Sequence, residues 1–110
     1  MELIIERRQM QMAVEWRIMQ VILRNGSGAD IEKIMESFEK LKITKNEIFE
    51  CIARLMQTGI IEFSLEHYDF IFHSDVAISP LVRALKTSKS PPISLDEYQR
   101  FGWRTIAWLP

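Results

Sequence analysis

The 110-residue chain contains few of the residues that mark covalently linked or membrane-bound architectures. Its only cysteine is Cys51, so no disulfide can form within the chain. No apolar run approaches the ~18 residues needed to cross a bilayer, so the sequence predicts no transmembrane helix. Charged residues flank the short apolar run near the N-terminus, which is not typical of a secretory signal. We therefore expect a soluble cytoplasmic protein that does not bind membranes.

Patterns associated with catalysis or metal binding are also missing. The segment Gly26-Ser27-Gly28 lacks the remaining glycine and lysine positions of a phosphate-binding loop. The metal-capable residues are Cys51, His67 and His73, which lack a fourth ligand for zinc. No serine or cysteine is placed with a histidine base in a way that indicates a nucleophile. We expect neither an enzyme, nor a metal site, nor a cofactor.

The charge of the chain is nearly balanced, at −1, which is unlike a strongly basic nucleic-acid binder. Its distribution is uneven. Residues 60–75 contain four acidic residues and no Lys or Arg, whereas residues 76–110 contain five basic residues against two acidic ones. The middle of the chain is locally acidic and the C-terminal third is locally basic.

Hydrophobic residues make up 47% of the chain, enough for one compact domain with a single core. The first predicted helix covers residues 2–24 and ends at Asn25-Gly26. Its apolar residues form two rows: Met10, Val14, Ile18, Val21 and Ile22, and Met12, Trp16, Met19 and Leu23. A helix that is apolar on more than one face has more than one neighbour. It is either a central core helix or one whose first three turns also pair with another subunit.

Two further helices follow, each with a capping residue. Asp30 caps the second helix, whose apolar stripe is Ile31, Ile34, Met35, Phe38 and Leu41, with Glu32, Lys33, Glu36, Glu39 and Lys40 on the solvent side. Thr44 and Glu47 form a capping box for a third helix over residues 44–58. Its predicted buried stripe is Ile48, Cys51, Ile52, Leu55 and Met56, and Gly59 ends it.

The rest of the chain contains a hairpin and a C-terminal segment. Residues 60–65 and 70–73 are rich in β-formers and are joined by a loop at 66–69, which indicates a hairpin. A short helix is predicted from Ser79-Pro80 to about Lys86. A linker at 89–92, a short helix from Ser94 to near Gly102 and an extended tail are expected after it.

The order helix, helix, helix, hairpin resembles the winged helix-turn-helix family of small bacterial and archaeal transcription regulators. The resemblance is carried by Ile43, Thr44, Lys45, Ile48, Ile52, Leu55 and the run Gly59-Ile60-Ile61. It implies a mainly α fold with a small β-hairpin, in which the winged helix-turn-helix core covers residues 14–75. Residues 1–13 would extend the first core helix, and residues 76–110 would form a C-terminal extension.

The resemblance also implies a function: sequence-specific binding of double-stranded DNA by a transcription regulator, with helix 44–58 as the recognition helix. The positions that would contact DNA are Thr44, Lys45, Asn46, Phe49, Glu50 and Arg54. Phe49, Glu50 and the acidic tip 66–69 depart from the family pattern, in which small polar and basic residues are common. Acidic residues there disfavour DNA, because affinity for DNA rests on phosphate neutralisation. The alternative is a protein–protein interaction module with little or no DNA binding, in which Phe49, Tyr68, Trp103 and Trp108 contact a protein partner.

Apolar residues near both ends of the chain predict a homodimer. The expected contact residues are Leu3, Ile4, Ile5, Met12, Phe101, Trp103 and Trp108. The first four precede the part of the first helix that the core is expected to cover, and the others belong to an aromatic-rich C-terminal tail. A large exposed apolar surface usually marks an interface. The competing interpretation is that the tail folds back over the first helix and leaves a monomer.

Overall fold

The computed structural model of the chain describes residues 2–26, 28–77 and 80–87. The helices are α1 Glu2–Arg24, α2 Ile31–Glu36, α3 Lys45–Gln57, α4 Ser74–Ala77 and α5 Pro80–Thr87. The strands are β1 Gly28–Ala29, β2 Ile61–Ser64 and β3 Asp69–Phe72. The mainly α fold with a small sheet is as predicted. None of the helices in these described ranges combines the length and apolar character needed to span a membrane. The linker, the last helix and the tail predicted at 89–110 lie outside the described residues.

Helix α1 is the central element of the core, as predicted by the interpretation that it is a central core helix. It packs against α2, α3, α5, β1 and β3. Its residues Ile18, Met19 and Ile22 are completely buried. The helix ends where the sequence indicates, because Gly26 adopts a positive φ of 71°. The prediction that Met12 lies beyond the reach of the core is wrong, since its side chain is only 8% exposed and packs within the core.

Helix α2 begins as predicted but is shorter. Asp30 accepts a hydrogen bond from the Lys33 backbone N–H at 2.9 Å, which caps the helix. The helix ends after Glu36, and tight turns carry the chain to Lys40. The backbone N–H of Leu41 then donates to the carbonyl of Phe38, three residues earlier. This tighter winding changes the direction of the next side chain, so Leu41 is 42% exposed and does not continue the buried stripe.

Helix α3 has the predicted capping box. The Glu47 backbone N–H donates to Thr44 Oγ1 at 3.2 Å, and the Thr44 backbone N–H donates to Glu47 Oε2 at 3.1 Å. The predicted buried residues Ile48, Cys51, Ile52 and Leu55 all lie in the core. The prediction that Met56 is buried is wrong, because Met56 is 41% exposed at the edge of the buried stripe, one turn after Ile52. Gly59 ends the helix region with a φ of 76°, as expected.

The sheet has three strands in the order β1-β3-β2, rather than the predicted hairpin alone. Strands β2 and β3 are the hairpin, and Ser64 pairs with Asp69, so the connecting turn is 65–68 instead of 66–69. Strand β1 pairs with β3 through Gly28 and Ile71. The sequence analysis does not predict this strand, because two residues are too short to show an alternating pattern. A Cβ atom at Gly28 would lie 2.5 Å from the Asp69 carboxylate, so a larger residue there would displace the Asp69 side chain.

Two short helices follow the sheet. The helix predicted from Ser79-Pro80 is present as α5, and Ser79 itself lies outside the described residues. Val82 and Leu85 of α5 join the core, where α5 packs against α1. Helix α4 was not predicted from the sequence. Its Val76 is completely buried and so ties the end of the sheet to the core.

Candidate interaction surface on the helix-turn-helix and wing

The outward face of α3 is set by helical spacing, because the core residues Ile48, Ile52 and Leu55 occupy the other side. The exposed residues of this face are Lys45, Asn46, Phe49, Glu50, Ala53, Met56 and Gln57. Lys45, Asn46, Phe49 and Glu50 therefore point outward, as expected. Thr44 is also exposed, although its hydroxyl oxygen accepts the capping hydrogen bond. The exposure of these five residues does not by itself show that they contact DNA.

Three apolar residues lie along the middle of this outward face. Phe49, Ala53 and Met56 follow one another at spacings of four and three, so they form one row along the helix. Phe49 is 48% exposed and Met56 is 41% exposed. We call these three residues the apolar stripe. Lys45 is the only cation on this face of α3, and Glu50 lies beside the stripe.

Arg54, which was predicted to contact DNA, lies to one side of the outward face and is engaged with α1. It follows Phe49 by five residues, which places it about 140° around the helix. Its Nη1 donates to Oε1 of Glu15 on α1 at 2.9 Å, and the Glu15 side chain is only 4% exposed. Arg54 thus neutralises a buried carboxylate and connects α3 to α1. The sequence contains no signal for this pairing, because the two residues are 39 positions apart.

A second arginine is also engaged within the fold. Arg17 on α1 donates from Nε to the Ser37 carbonyl at 2.8 Å, at the end of α2. Its guanidinium lies 5.6 Å from the centre of the Phe38 ring. Arg17 therefore fixes α2 against α1. Because Arg17 is held by these contacts, it does not add a positive charge to those that α3 could offer to DNA.

The wing, defined as residues 61–72, exposes apolar and acidic side chains. Leu65 is 77% exposed and Tyr68 is 72% exposed at its turn. Phe63 makes edge-to-face contacts with Phe70, at 5.1 Å between ring centres, and with Tyr68, at 6.5 Å. The ionisable residues of the wing are Glu62, Glu66, His67, Tyr68 and Asp69, and it contains no Lys or Arg. The wing therefore offers no fixed positive charge to a phosphate.

A groove of about 430 Å³ lies between α2 and the beginning of α3. Its lining consists of Glu32, Met35, Glu36, Phe38, Glu39, Leu41, Ile43, Lys45 and Ile48. The three glutamates are exposed, whereas Met35 and Ile43 are partly buried against the core. We call this feature the acid-rimmed groove. It was not predicted from the sequence, although three exposed glutamates at spacings of four and three, two on α2 and one in the turns after it, are a signal for it.

Cys51 is a core residue without the properties of a nucleophile. Its side chain is buried, and the thiol donates a long hydrogen bond to the Gln11 carbonyl at 3.9 Å. Burial raises the pKa of the Cys51 thiol from 9.0 to about 11, and the nearby negative charge of Glu15 adds to this increase. A thiol with so high a pKa is protonated at neutral pH. Cys51 therefore contributes packing, as the sequence indicates.

Comparison with known proteins agrees with this geometry. Residues 8–70 match the family model of the MCM protein C-terminal winged helix-turn-helix domain. The match covers more than half of the 110-residue chain, from α1 to the second residue of β3. No curated protein and no solved structure matches the chain significantly. The winged helix-turn-helix resemblance is confirmed, and the family matched is not described as one of small transcription regulators.

Proposed function

The chain belongs to the family of MCM C-terminal winged helix-turn-helix domains, and on that premise we propose that it is a non-catalytic module that docks a protein partner. Its fold is of the DNA-binding type, so the chemistry of the exposed surface has to decide between partners. One observation carries the proposal. Of the seven large hydrophobic side chains that are exposed among residues 10–26, 28–76, 82–83 and 85–87, six lie between Leu41 and Tyr68, and the seventh is Met10.

The apolar stripe is the centre of the proposed contact. Exposed apolar surface is unfavourable in water, and a partner that covers it gains roughly 25 cal/mol for each Å² removed from solvent. Large aromatic residues near the centre of an interface contribute most to binding. Phe49 has this position, with Ala53 and Met56 on the same row. The exposed Leu65 and Tyr68 of the wing give a second apolar contact to the same kind of partner.

The charges near the stripe also favour a protein over DNA. Affinity for DNA depends on Lys and Arg side chains that neutralise phosphates. The outward face of α3 has one cation, Lys45, and it is offset by Glu50. The wing adds acidic residues and no Lys or Arg. A phosphate backbone that approached this surface would meet more negative than positive groups.

The test is site-specific photocrosslinking in the native host. A photoreactive amino acid replaces Phe49 in one variant and Arg24, exposed at the end of α1, in a matched control. We expect the Phe49 variant to form a discrete crosslink to one or a few proteins, identified by mass spectrometry, and the Arg24 variant to form none of them. Crosslinks from position 49 that contain only DNA, or the same protein crosslinks from both positions, would contradict the proposal.

Sequence-specific binding of double-stranded DNA by a transcription regulator is a second candidate. It is favoured by the capping box, which fixes the first turn of α3 and leaves Lys45 and Asn46 exposed at the end of the helix that would enter a major groove. A lysine at this position can contact a phosphate or guanine, and an asparagine can pair with adenine. A regulator of this kind would act as a homodimer, with its two recognition helices about 34 Å apart on a palindromic site.

A salt-dependent titration of labelled DNA duplexes separates the two candidates. If α3 reads DNA, Lys45→Ala should reduce the salt slope by about one, and Asn46→Ala should cost about 1–3 kcal/mol at the specific site only. If the domain docks a protein, binding should be weak, equal for all duplexes and abolished by moderate salt. Sedimentation at micromolar concentration checks the homodimer. A monomer would weaken the DNA-regulator candidate.

A further inference from the structure

We propose that the acid-rimmed groove binds a short basic segment of a partner protein, rich in Lys or Arg and anchored by a large apolar side chain. The inference rests on the proposed function and names the chemistry of the partner. It concerns a different set of residues from the apolar stripe. The two surfaces can therefore be tested separately.

The floor of the groove can hold an apolar side chain. Met35 and Ile43 pack against the core from below, and Leu41 is 42% exposed beside them. The volume of about 430 Å³ lies within the ~300–1,000 Å³ of typical ligand pockets. Leu41 is exposed because the turns after α2 direct it outward. An apolar anchor that entered the groove would cover it.

The rim selects the charge of the ligand. Glu32, Glu36 and Glu39 line the groove, and Lys45 is the only cation in its lining. Lys33, Lys40 and Lys42 are exposed nearby but do not line it. None of the ion pairs found among the described residues involves the three glutamates. Their carboxylates are available to a cationic ligand, and they repel a polyanion such as DNA.

Two of these glutamates have unfavourable electrostatic interactions within the folded chain. Glu32 and Glu36 are four residues apart on α2, so their like charges repel each other along one face. Glu36 is also the last residue of α2, where the helix dipole disfavours a negative charge. A bound cationic side chain would relieve both effects. A cost to stability that binding relieves is consistent with the trade-off between stability and function.

The experiment is an NMR titration of the ¹⁵N-labelled chain with a synthetic amphipathic peptide that has Lys on one side and Leu on the other. A peptide with the same composition in scrambled order and a DNA duplex are the comparison ligands. We expect the largest shift changes in residues 32–48, with the scrambled peptide binding more weakly. Glu36→Lys should lower the peptide affinity about tenfold, because it replaces an attraction with a repulsion. Glu62→Lys makes the same change of charge on the wing and should alter affinity less than about twofold.

A second variant, Leu41→Ser, removes the apolar contact at a side chain that the core does not need. It should weaken peptide binding while the rest of the spectrum stays unchanged. Equal weakening by Glu62→Lys, equal binding of the scrambled peptide, or equal binding of DNA to the same residues would overturn the inference. Shift changes confined to the apolar stripe would overturn it and leave the proposed function standing. Groove binding without a protein crosslink at position 49 would overturn the apolar stripe as the centre of the contact and leave the groove inference standing.

Discussion

Arg54 on α3 and Glu15 on α1 form an ion pair at 2.9 Å that joins the third helix to the first. The Glu15 side chain is nearly buried, while that of Arg54 is 37% exposed. We predict that Arg54→Met lowers the free energy of unfolding by about 1–3 kcal/mol, because it removes a charged hydrogen bond to a buried carboxylate. The value is below that for a fully buried pair, since solvent reaches the guanidinium. Urea unfolding monitored by circular dichroism measures it.

The matched control for this pair is the double variant Glu15→Gln/Arg54→Met. Replacing the carboxylate by a neutral amide removes the buried charge with which Arg54 pairs, so the double variant should be more stable than Arg54→Met alone. If the losses of stability in Arg54→Met and in Glu15→Gln simply add in the double variant, the ion pair does not couple α3 to α1.

The raised pKa of Cys51 predicts a loss of stability in alkaline solution. Burial raises the pKa of the thiol to about 11 in the folded chain, from an ordinary value of 9.0. The unfolded chain therefore loses its proton first as the pH rises, which favours unfolding. The contribution of the buried thiol is fully present below pH 9 and is lost between about pH 9 and 11, by roughly 2–3 kcal/mol.

Urea unfolding of the wild type and of Cys51→Ala at pH 8, 9 and 10 checks this. The alanine variant should be less stable at pH 8, because it leaves a small cavity. Its stability should fall less steeply above pH 9, because it has no thiol to titrate. Parallel curves for the two proteins would show that Cys51 keeps an ordinary pKa in the folded state.

Features encoded by neighbouring residues could be predicted from the sequence. The Thr44 and Glu47 capping box, the Asp30 cap and four of the five predicted buried residues of α3 depend on spacings of a few positions, and they are present. The hairpin was predicted because its strands are long enough to show β-forming residues. The outward direction of Phe49 followed from the helical period of the core residues.

Features that depend on distant contacts could not be predicted. The inward orientation of Arg54 is set by Glu15, and strand β1 is set by its pairing with β3. The exposure of Leu41 results from the early end of α2, where Arg17 binds the Ser37 carbonyl. The acid-rimmed groove arises only when α2 and α3 are packed together. These features need the packed fold, which no local spacing encodes.

Tyr68 is the only non-glycine residue in the described ranges with a positive φ, of 54°. This conformation costs an L-residue roughly 1–2 kcal/mol, and asparagine tolerates it better than tyrosine. The lost contact is small, because Tyr68 is 72% exposed and its ring centre is 6.5 Å from that of Phe63. We therefore predict that Tyr68→Asn raises the free energy of unfolding by about 0.5–1 kcal/mol. Leu65→Asn in the same turn should bring no such gain, and thermal unfolding compares the two variants.

Glu36 gives the last prediction, which concerns stability in the absence of any ligand. In Glu36→Lys the new cation lies at the C-terminal end of α2 and four residues after Glu32, so both unfavourable interactions become favourable. We expect the free energy of unfolding to rise by about 0.3–1 kcal/mol at low ionic strength, with a smaller gain in high salt. Glu39→Lys makes the same change beyond the end of the helix and should give a smaller effect. Denaturant midpoints at two salt concentrations, with an unchanged m-value, measure the difference.

A Glu36→Lys variant that is no more stable than the wild type would show that the Glu36 carboxylate does not weaken the free domain. The argument that a bound cation relieves an unfavourable charge at the groove would then be wrong.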